Sequence, residues 1–186
     1  MGRWQPDAQG RLQRAAIALF EEKGFEQTTV IEIADRAEVT ERTFFRYFGD
    51  KREVLFQGSD ELLTVAGEAI ADAPGGLSPV ALAVTGVRAS AAVLEPRREY
   101  ASVRAKVVAA NPSLQERELL KMAAMSVAVA TALRVRGVGE EQARLAADVA
   151  VTSFSAGFAA WISDDRPESF ADRISEQFEL LRSLTA

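Results

Sequence analysis

The sequence contains neither cysteine nor histidine among its 186 residues. The absence of cysteine excludes disulfide bonds and thiolate chemistry. The absence of histidine removes the usual general base, the commonest metal ligand and every catalytic triad that contains histidine. We therefore expect no metal site, no cofactor and no enzymatic activity. The alternative is an enzyme with two carboxylates, for which Glu95 and Glu99 are candidates, although the arginines around them favour solvated ion pairs.

Aromatic residues and long apolar runs are also scarce. Aromatic side chains make up 8% of the chain, alanine is frequent, and no segment alternates clearly between apolar and polar residues, so helices are favoured over strands. The longest nearly unbroken apolar run, residues 122–133, covers about 12 residues, whereas a membrane span needs about 20. The N-terminus carries no apolar export segment. We expect a soluble, cytoplasmic protein that does not enter a membrane.

The net charge of −5 means that the chain as a whole does not attract nucleic acid, so any contact with DNA must rest on a local patch. Residues 1–56 hold 9 basic and 10 acidic side chains, and residues 57–186 hold 13 and 17. The acidity therefore lies mainly in the second part of the chain.

Proline, glycine and capping residues divide the chain into about nine predicted helices. The clearest break is the segment P-G-G-L-S-P, residues 74–79. We predict an all-α fold with a three-helix head in residues 1–56, a linking helix, and a larger helical domain in residues 57–186. The first four helices are predicted from about Asp7 to Lys23, from Thr29, from Thr40 to Phe48 and from Asp50 to about Ala73.

Several helix starts carry a recognisable capping pattern. In a capping box, an N-cap hydroxyl or carboxylate is followed three residues later by glutamate. A serine followed by proline likewise opens a helix. The predicted boxes are Thr29 with Glu32, Asp50 with Glu53 and Ser113 with Glu116, and the predicted serine–proline start is Ser78 with Pro79.

Residues 29–48 read as two short helices joined by the three residues 37–39, an arrangement typical of a helix-turn-helix whose second helix enters the major groove. At 100° per residue, Phe44 and Phe48 fall on one side of that second helix and face the core. The opposite side is polar and carries Arg42, Thr43, Arg46 and Tyr47. From periodicity alone, an amphipathic surface helix with ordinary exposed arginines remains the alternative.

The stretch T-T-V-I-E-I-A-D-R-A-E-V-T-E-R-T-F-F-R-Y-F-G-D-K-R-E-V-L, residues 28–55, closely resembles the signature of the TetR family of regulators, and the likeness extends back over F-E-E-K-G-F, residues 20–25. The resemblance implies that operator DNA is the partner. It implies that Thr43 and Lys51 hold phosphates and that Tyr47 lies against the DNA backbone. By the same resemblance Glu41, Arg42 and Arg46 read bases, and Thr29, Thr40 and Phe45 complete the predicted DNA-binding set.

Two positions depart from the family pattern. The turn position usually held by glycine is Glu38, which must accept an unfavourable backbone geometry or relax the turn. The position usually held by a phosphate-binding tyrosine is Phe45, which keeps the ring and loses the hydroxyl. Before the first helix, Arg3 and Trp4 are candidates for an arm over the DNA, with a frayed tail as the alternative.

The C-terminal part has a different composition. The predicted helix from Ser113 to Arg136 is apolar around much of its circumference, so we expect it to be buried. The last two helices carry aromatic and aliphatic side chains at helical spacing and predict a four-helix bundle between two copies of the chain. The alternative is a helical hairpin inside one monomer. The predicted dimer interface comprises Phe154, Trp161, Phe170, Ile174 and Phe178.

The segment L-E-P-R-R-E-Y-A-S-V-R-A-K-V-V-A-A-N-P-S-L-Q-E-R, residues 94–117, resembles the mycofactocin-regulator (MftR-like) branch of TetR proteins. That branch is associated with acyl-CoA-like ligands. The resemblance implies that Arg97, Arg98 and Arg104 meet the ligand's phosphates. It places Val103, Val107, Met122, Met125 and Phe158 around the acyl chain. For each of these residues, surface charge or ordinary core packing is the alternative.

Together these observations predict a ligand-responsive, dimeric DNA-binding repressor that a small hydrophobic or acyl-CoA-like effector releases from its operator. The alternative function is a helical lipid or acyl carrier, or an adaptor, whose DNA-binding head is vestigial.

Overall fold

The computed structural model describes residues 7–163 and 168–184. The predicted arm residues Arg3 and Trp4, and the helix break predicted around Asp164 to Pro167, lie outside the described residues.

The described part of the chain contains nine α-helices, two short 3-10 helices and no strand, which confirms the predicted all-α class. The 3-10 helices are Glu53–Leu55 and Glu95–Arg97. The α-helices are α1 Ala8–Lys23, α2 Val30–Arg36, α3 Glu41–Tyr47, α4 Ser59–Asp72, α5 Pro79–Leu94, α6 Arg98–Ala109, α7 Pro112–Val135, α8 Glu140–Ser163 and α9 Phe170–Ser183.

Local capping chemistry sets several of these boundaries as predicted. Gly24 ends α1 with a φ of 89°, a conformation that glycine adopts without steric cost. Thr29 and Glu32 form the reciprocal capping box of α2. The Ser78 side chain accepts a hydrogen bond from the Ala81 amide and caps α5, which opens with Pro79.

Two predicted helix starts are wrong. The linking helix α4 begins at Ser59 rather than at Asp50, because Gly58 takes a φ of 86° and interrupts the helical path. Asp50 instead accepts hydrogen bonds from the amides of Arg52 and Glu53 and caps a short turn. Ser113 lies inside α7, which begins one residue earlier at Pro112, so its predicted capping box with Glu116 does not open the helix.

The chain divides into two compact units. The N-terminal unit comprises residues up to 57 together with Val103–Glu116, and the C-terminal unit comprises Gly58–Ser102 together with residues from 117 onward. The predicted division is a single point after residue 56, whereas in the structure a segment of α6 and α7 joins the head.

The core of the N-terminal unit collects apolar side chains from α1, α2, α3 and the Val103–Glu116 segment. It confirms the predicted inward side of α3, because Phe44 and Phe48 are 0% and 2% exposed. The segment contributes Val107, Val108 and Leu114 to this core. The recognition-helix candidate therefore rests on a packed apolar support.

In the C-terminal unit α5 packs against α4, α8 and α9, and α8 packs against α9. The core of this unit includes Ile70, Val87, Met125, Phe154 and Trp161. Helix α8 is long and apolar enough to cross a membrane by length and composition, with a mean hydropathy of 1.4 in its most apolar stretch. This is weak evidence for a membrane span, because core helices of soluble proteins have the same character and one side of α8 is buried in this core.

The expectation that α7 is buried on most of its surface is wrong. Leu119, Leu120 and Val127 are 71%, 58% and 67% exposed, whereas Met125, Val129 and Leu133 are almost fully buried. One side of the helix therefore meets the core, and its other apolar side chains lie on the surface of the single chain.

Candidate functional site

The start of α2 is held by a network of polar side chains. The Thr29 hydroxyl donates to Glu32 Oε2 over 2.8 Å and accepts from the Glu32 amide over 3.2 Å. The Lys23 ammonium donates to the Glu32 carboxylate. This hydrogen bond, followed by those from Thr29, lowers the pKa of Glu32 to about 2. Thr29, predicted to bind DNA, therefore has its hydroxyl engaged in the helix cap.

Helix α3 begins with a cap formed by two threonine hydroxyls. Thr40 accepts a hydrogen bond from the Thr43 amide over 3.2 Å, and the two hydroxyl oxygens lie 3.0 Å apart. Behind the cap the ring of Phe44 packs 5.2 Å from that of Phe48 in the core. The cap and the two buried rings fix the rotation of α3, and this rotation decides which side chains reach the surface.

The outward side of α3 carries the predicted base-reading and backbone-contacting groups. Glu41, Arg42 and Arg46 are exposed. Phe45 and Tyr47 are 51% and 36% exposed. The Arg46 guanidinium lies over the Tyr47 ring, 4.8 Å from its centroid, and donates to the Tyr47 hydroxyl over 3.1 Å. The structure thus brings arginine, hydroxyl and aromatic groups to one surface, a combination suited to hydrogen bonding with base edges and phosphates.

The turn before α3 stores backbone strain. Glu38 has a φ of 55°, the left-handed conformation that costs a residue with a Cβ about 1–2 kcal/mol. Of the two outcomes expected at this position, an unfavourable backbone geometry or a relaxed turn, the structure adopts the first.

We expect the variant Glu38→Gly to be more stable than Glu38→Ala by about 1 kcal/mol. Both variants remove the same carboxylate, and only glycine adopts a positive φ freely, so the comparison isolates the backbone strain. Urea unfolding of the two variants, followed by circular dichroism, measures the difference. Equal stability of the two variants would show that the turn carries no such strain.

Lys51 occupies a different environment from the one that the resemblance implies. Its Nζ donates to the carbonyl oxygens of Phe25 and Thr28 over 2.6 and 2.9 Å and lies 4.2 Å from the centroid of the Phe25 ring. Burial lowers its pKa. Lys51 is therefore bound to the loop between α1 and α2 rather than projecting outward beside α3.

A shallow cleft of 460 Å³ near the turn is basic in character. Its arginines are paired: Arg14 with Asp7 over 3.3 Å, Arg36 with Glu22 over 2.5 Å, and Arg11 with the Ala37 carbonyl over 3.0 Å. The bond to Glu22 raises the pKa of Arg36. These arginines were not predicted as a group. The signal for two of them is the i, i+3 spacing of Arg11 and Arg14 on α1, which places both on one side of the helix.

The structure divides the predicted effector-binding residues between the two units. Val103, Arg104 and Val107 belong to the N-terminal unit. There Arg104 donates to the Leu55 carbonyl over 2.7 Å and lies over the Phe56 ring, while Val107 is part of the core. This differs from the predicted ligand contacts, because both side chains are used in packing the head.

The remaining predicted effector-binding residues belong to the C-terminal unit. Met125 is 1% exposed and lies in the core, whereas Met122 and Phe158 are half-buried. Arg98 donates to the Trp161 carbonyl over 3.0 Å, and Arg97 is exposed. Of these five residues, all except Met125 keep exposed surface through which to meet a ligand, and the Arg98 guanidinium is also engaged with the Trp161 carbonyl.

The predicted dimer-interface residues lie inside the single chain. Phe154, Trp161, Phe170 and Ile174 are at most 4% exposed, and Phe178 is half-buried against the same core. Trp161 stacks on Phe170 at 5.0 Å. The prediction is corrected for the four buried side chains, because these aromatics pack α8 against α9 of the same chain. A surface that pairs two copies must therefore use side chains other than these four, and Phe178 stays a predicted interface residue.

Glu95 has a structural role that the sequence analysis misses. Its carboxylate accepts hydrogen bonds from the Trp161 indole over 3.3 Å and from the Phe170 amide, in the first turn of α9, over 2.8 Å. It therefore joins the end of α5 to α8 and α9. Within residues 7–163 and 168–184, no three acidic, histidine or cysteine side chains are grouped so as to hold a metal ion.

Comparison with known proteins shows which family the head is similar to. Residues 12–57 match the bacterial regulatory proteins of the tetR family. The HTH-type transcriptional regulator HbdR of Aromatoleum sp. (strain CIB) is 35% identical over 86 residues, which cover 46% of this chain and 38% of HbdR. The chain spans well under half the length of the curated relatives it matches, and these are named transcriptional regulators rather than enzymes.

The likeness in fold extends along the described chain. FadR of Bacillus subtilis, solved in complex with stearoyl-CoA, has a TM-score of 0.65 at 17% identity over 92% of this chain and 96% of its own. FadR of Thermus thermophilus, a TetR-family repressor solved with lauroyl-CoA, has a TM-score of 0.53 at 25% identity over 94% of this chain and 93% of its own. In sequence, residues 12–57 match the tetR family, and in its all-helical fold the described chain is similar to the two FadR proteins.

Proposed function

We propose that this protein is a ligand-responsive transcriptional repressor that binds operator DNA as a homodimer. The observation that carries the proposal is α3, which buries Phe44 and Phe48 and presents arginine, hydroxyl and aromatic groups at the surface of a head matching the tetR family. A helix of this kind fits the major groove, where arginine bonds in pairs to guanine.

The outward residues of α3 divide into two roles in this proposal. Glu41, Arg42 and Arg46 face base edges, and the groups around them contact the sugar–phosphate backbone. Because Arg46 is tied to the Tyr47 hydroxyl, the two residues approach the DNA together. The proposed backbone-contacting residues are Thr29, Thr40, Thr43, Phe45 and Tyr47.

A dimer is part of the proposal because α3 is only 7 residues long. One such helix touches few bases, and two half-sites about a helical turn or more apart supply the rest of the specificity. The pairing surface would use the exposed sides of the C-terminal helices rather than the buried aromatics. Exposed apolar side chains available for it include Leu145 on α8 and Leu180 and Leu184 at the end of α9.

We propose an acyl-CoA-like effector. Its support is the similarity in fold to two FadR proteins solved with stearoyl-CoA and lauroyl-CoA, together with the resemblance of residues 94–117 to the mycofactocin-regulator branch. Arg97 would meet the phosphates, and Met122 and Phe158 would line the acyl chain. Binding releases DNA only if the effector prefers a conformation in which the two α3 helices no longer match the half-sites. We place this activity in the cytoplasm.

The proposal is tested by fluorescence anisotropy with labelled duplexes from the region upstream of the gene, or from a random-sequence selection. Saturable, sequence-dependent binding that lauroyl-CoA or stearoyl-CoA reverses is the expected result, with CoA lacking the acyl chain as the matched ligand control. Binding that acyl-CoA leaves unchanged would retain the regulator and reject this effector class. A carrier with a vestigial head would bind acyl-CoA and show no preferred DNA sequence.

Arg42→Ala and Arg46→Ala provide the mutational test. If each arginine bonds bidentately to a guanine, each variant loses about 1–3 kcal/mol of discrimination at one base pair while affinity for unrelated DNA changes little. Competition titrations against single-base operator variants measure this loss. Arg144→Ala on α8, an exposed arginine paired with Asp148, serves as the control. Unchanged discrimination in both α3 variants would contradict groove reading by α3.

A further inference from the structure

Lys51 is surrounded by main-chain oxygens of the loop between α1 and α2. Its ammonium lies 2.6 Å from the Phe25 oxygen, 2.9 Å from the Thr28 oxygen and 3.4 Å from the Glu26 oxygen. A lysine ammonium has three N–H donors and no others. The three carbonyl oxygens therefore provide one acceptor for each N–H of the ammonium.

The loop that carries these oxygens is itself fixed by buried side chains. Phe25 is 5% exposed, and its ring packs edge-on against Phe20 at 5.1 Å. Thr28 is 1% exposed, and its hydroxyl donates to the Gly24 carbonyl over 2.8 Å. The Phe25 ring also lies beneath the ammonium, where a cation is attracted to the ring face. The oxygens thus converge on a fixed point that a compact cation fills.

We propose that Lys51 is a positioning residue that fastens the loop of residues 25–28, and through it the start of α2, rather than a ligand of an operator phosphate. A phosphate contact would require the ammonium to leave these three carbonyl oxygens. The Phe25 oxygen would keep a hydrogen bond from the Thr28 amide over 3.3 Å, whereas the Glu26 and Thr28 oxygens would lose the lysine donor seen here. The role refines the DNA-binding function proposed above, and rests on it only for the affinity measurement below.

The consequence for DNA binding follows from the packing of the head. The loop leads directly into Thr29, the N-cap of α2, and α2 packs against both α1 and α3. A loosened loop allows α2 to shift, and α3 then loses part of its support. Lys51 would therefore affect operator affinity through the placement of α3, without adding a charge contact to the DNA.

The first measurement is hydrogen exchange of the free protein, which is independent of any DNA. In Lys51→Met, which keeps the apolar stem and removes the ammonium, we expect amides of residues 25–33 to exchange several-fold faster. Arg52→Met is the matched control, because it removes the same charge from the next residue, whose guanidinium pairs with Asp50 at the surface. Unchanged exchange at residues 25–33 in Lys51→Met would overturn the proposal.

The second measurement is the dependence of operator affinity on salt. Each phosphate contact contributes about 0.9 to the slope of log Kobs against log salt concentration. We expect Lys51→Met to lower affinity several-fold with an unchanged slope. A slope reduced by about 0.9 would overturn the proposal, since that result means a lost phosphate contact.

Two further outcomes are distinguishable. If no sequence-specific operator exists, the proposed function fails while hydrogen exchange still decides the role of Lys51. If Lys51→Met does not fold, Lys51→Arg replaces it, because the planar guanidinium keeps the charge and does not fit the three oxygens as a compact ammonium does. Faster exchange of residues 25–33 in Lys51→Arg supports the positioning role, and wild-type exchange overturns it.

Discussion

Replacing Phe44 with alanine should destabilise the N-terminal unit by about 3–5 kcal/mol, the usual cost of removing a fully buried phenylalanine. Phe44 is 0% exposed and packs against Phe48 at 5.2 Å, so the cavity opens directly behind α3. We expect α3 to lose its fixed orientation and DNA binding to be lost with it. Urea unfolding followed by circular dichroism, combined with hydrogen exchange of residues 41–48, measures the effect.

Phe45→Ala is the matched control for this experiment. The two phenylalanines are adjacent, and Phe45 is 51% exposed, so its removal should cost a small fraction of the stability lost in Phe44→Ala. Operator affinity should fall in both variants, in Phe44→Ala through unfolding and in Phe45→Ala through a lost surface contact. Comparable loss of stability in the two variants would mean that α3 is rotated relative to the structure described here.

Gly157→Ala should destabilise the C-terminal unit by about 1–3 kcal/mol, even though alanine is the better helix former. Gly157 lies where α8 crosses α9, and a Cβ at this position would stand 2.9 Å from the Ile174 amide nitrogen and 3.0 Å from its Cα. Both atoms belong to the backbone, so the two helices must separate to admit the methyl group. Equilibrium unfolding in urea, followed by circular dichroism, reports this change.

The same substitution at another glycine, Gly67→Ala in α4, is expected to have the opposite effect on stability. A Cβ at Gly67 meets no atom within 4 Å, so the gain in helix propensity is uncompensated and should stabilise the protein by up to about 1 kcal/mol. The change in the free energy of unfolding is therefore expected to have opposite signs in the two variants. Gly157→Ala at or above wild-type stability would show that the crossing of α8 and α9 is looser than described.

Local sequence patterns were sufficient to predict those features of the structure that depend only on residues close together in the sequence. The capping box of Thr29 with Glu32 and the Ser78–Pro79 start were predictable because each acts within one helical turn. Periodicity likewise placed Phe44 and Phe48 inward. The same reasoning failed at Asp50, because a carboxylate accepting two amide hydrogen bonds caps a turn as readily as a helix.

The same local patterns could not predict which elements pack against each other in the tertiary structure. Apolar residues at helical spacing on α8 and α9 predict a buried face, and the pattern is the same whether the partner helix belongs to this chain or to a second copy. Phe154, Phe170 and Ile174 were assigned to a dimer for that reason, and they lie in the core of one chain. Lys51 contacts oxygens more than 20 residues earlier in the chain, a relation that spacing within a helix does not reveal.

The participation of Val103–Glu116 in the N-terminal unit has a consequence for how the protein is made. The core of the head includes Val107, Val108 and Leu114, which follow the other core residues by about fifty positions. During synthesis the core of the head therefore stays incomplete, with part of its apolar surface exposed, until α4, α5 and α6 have left the ribosome. A fragment cut after residue 57 would keep α3 but lack this cover, so a minimal head should be built by grafting the missing segment rather than by truncation.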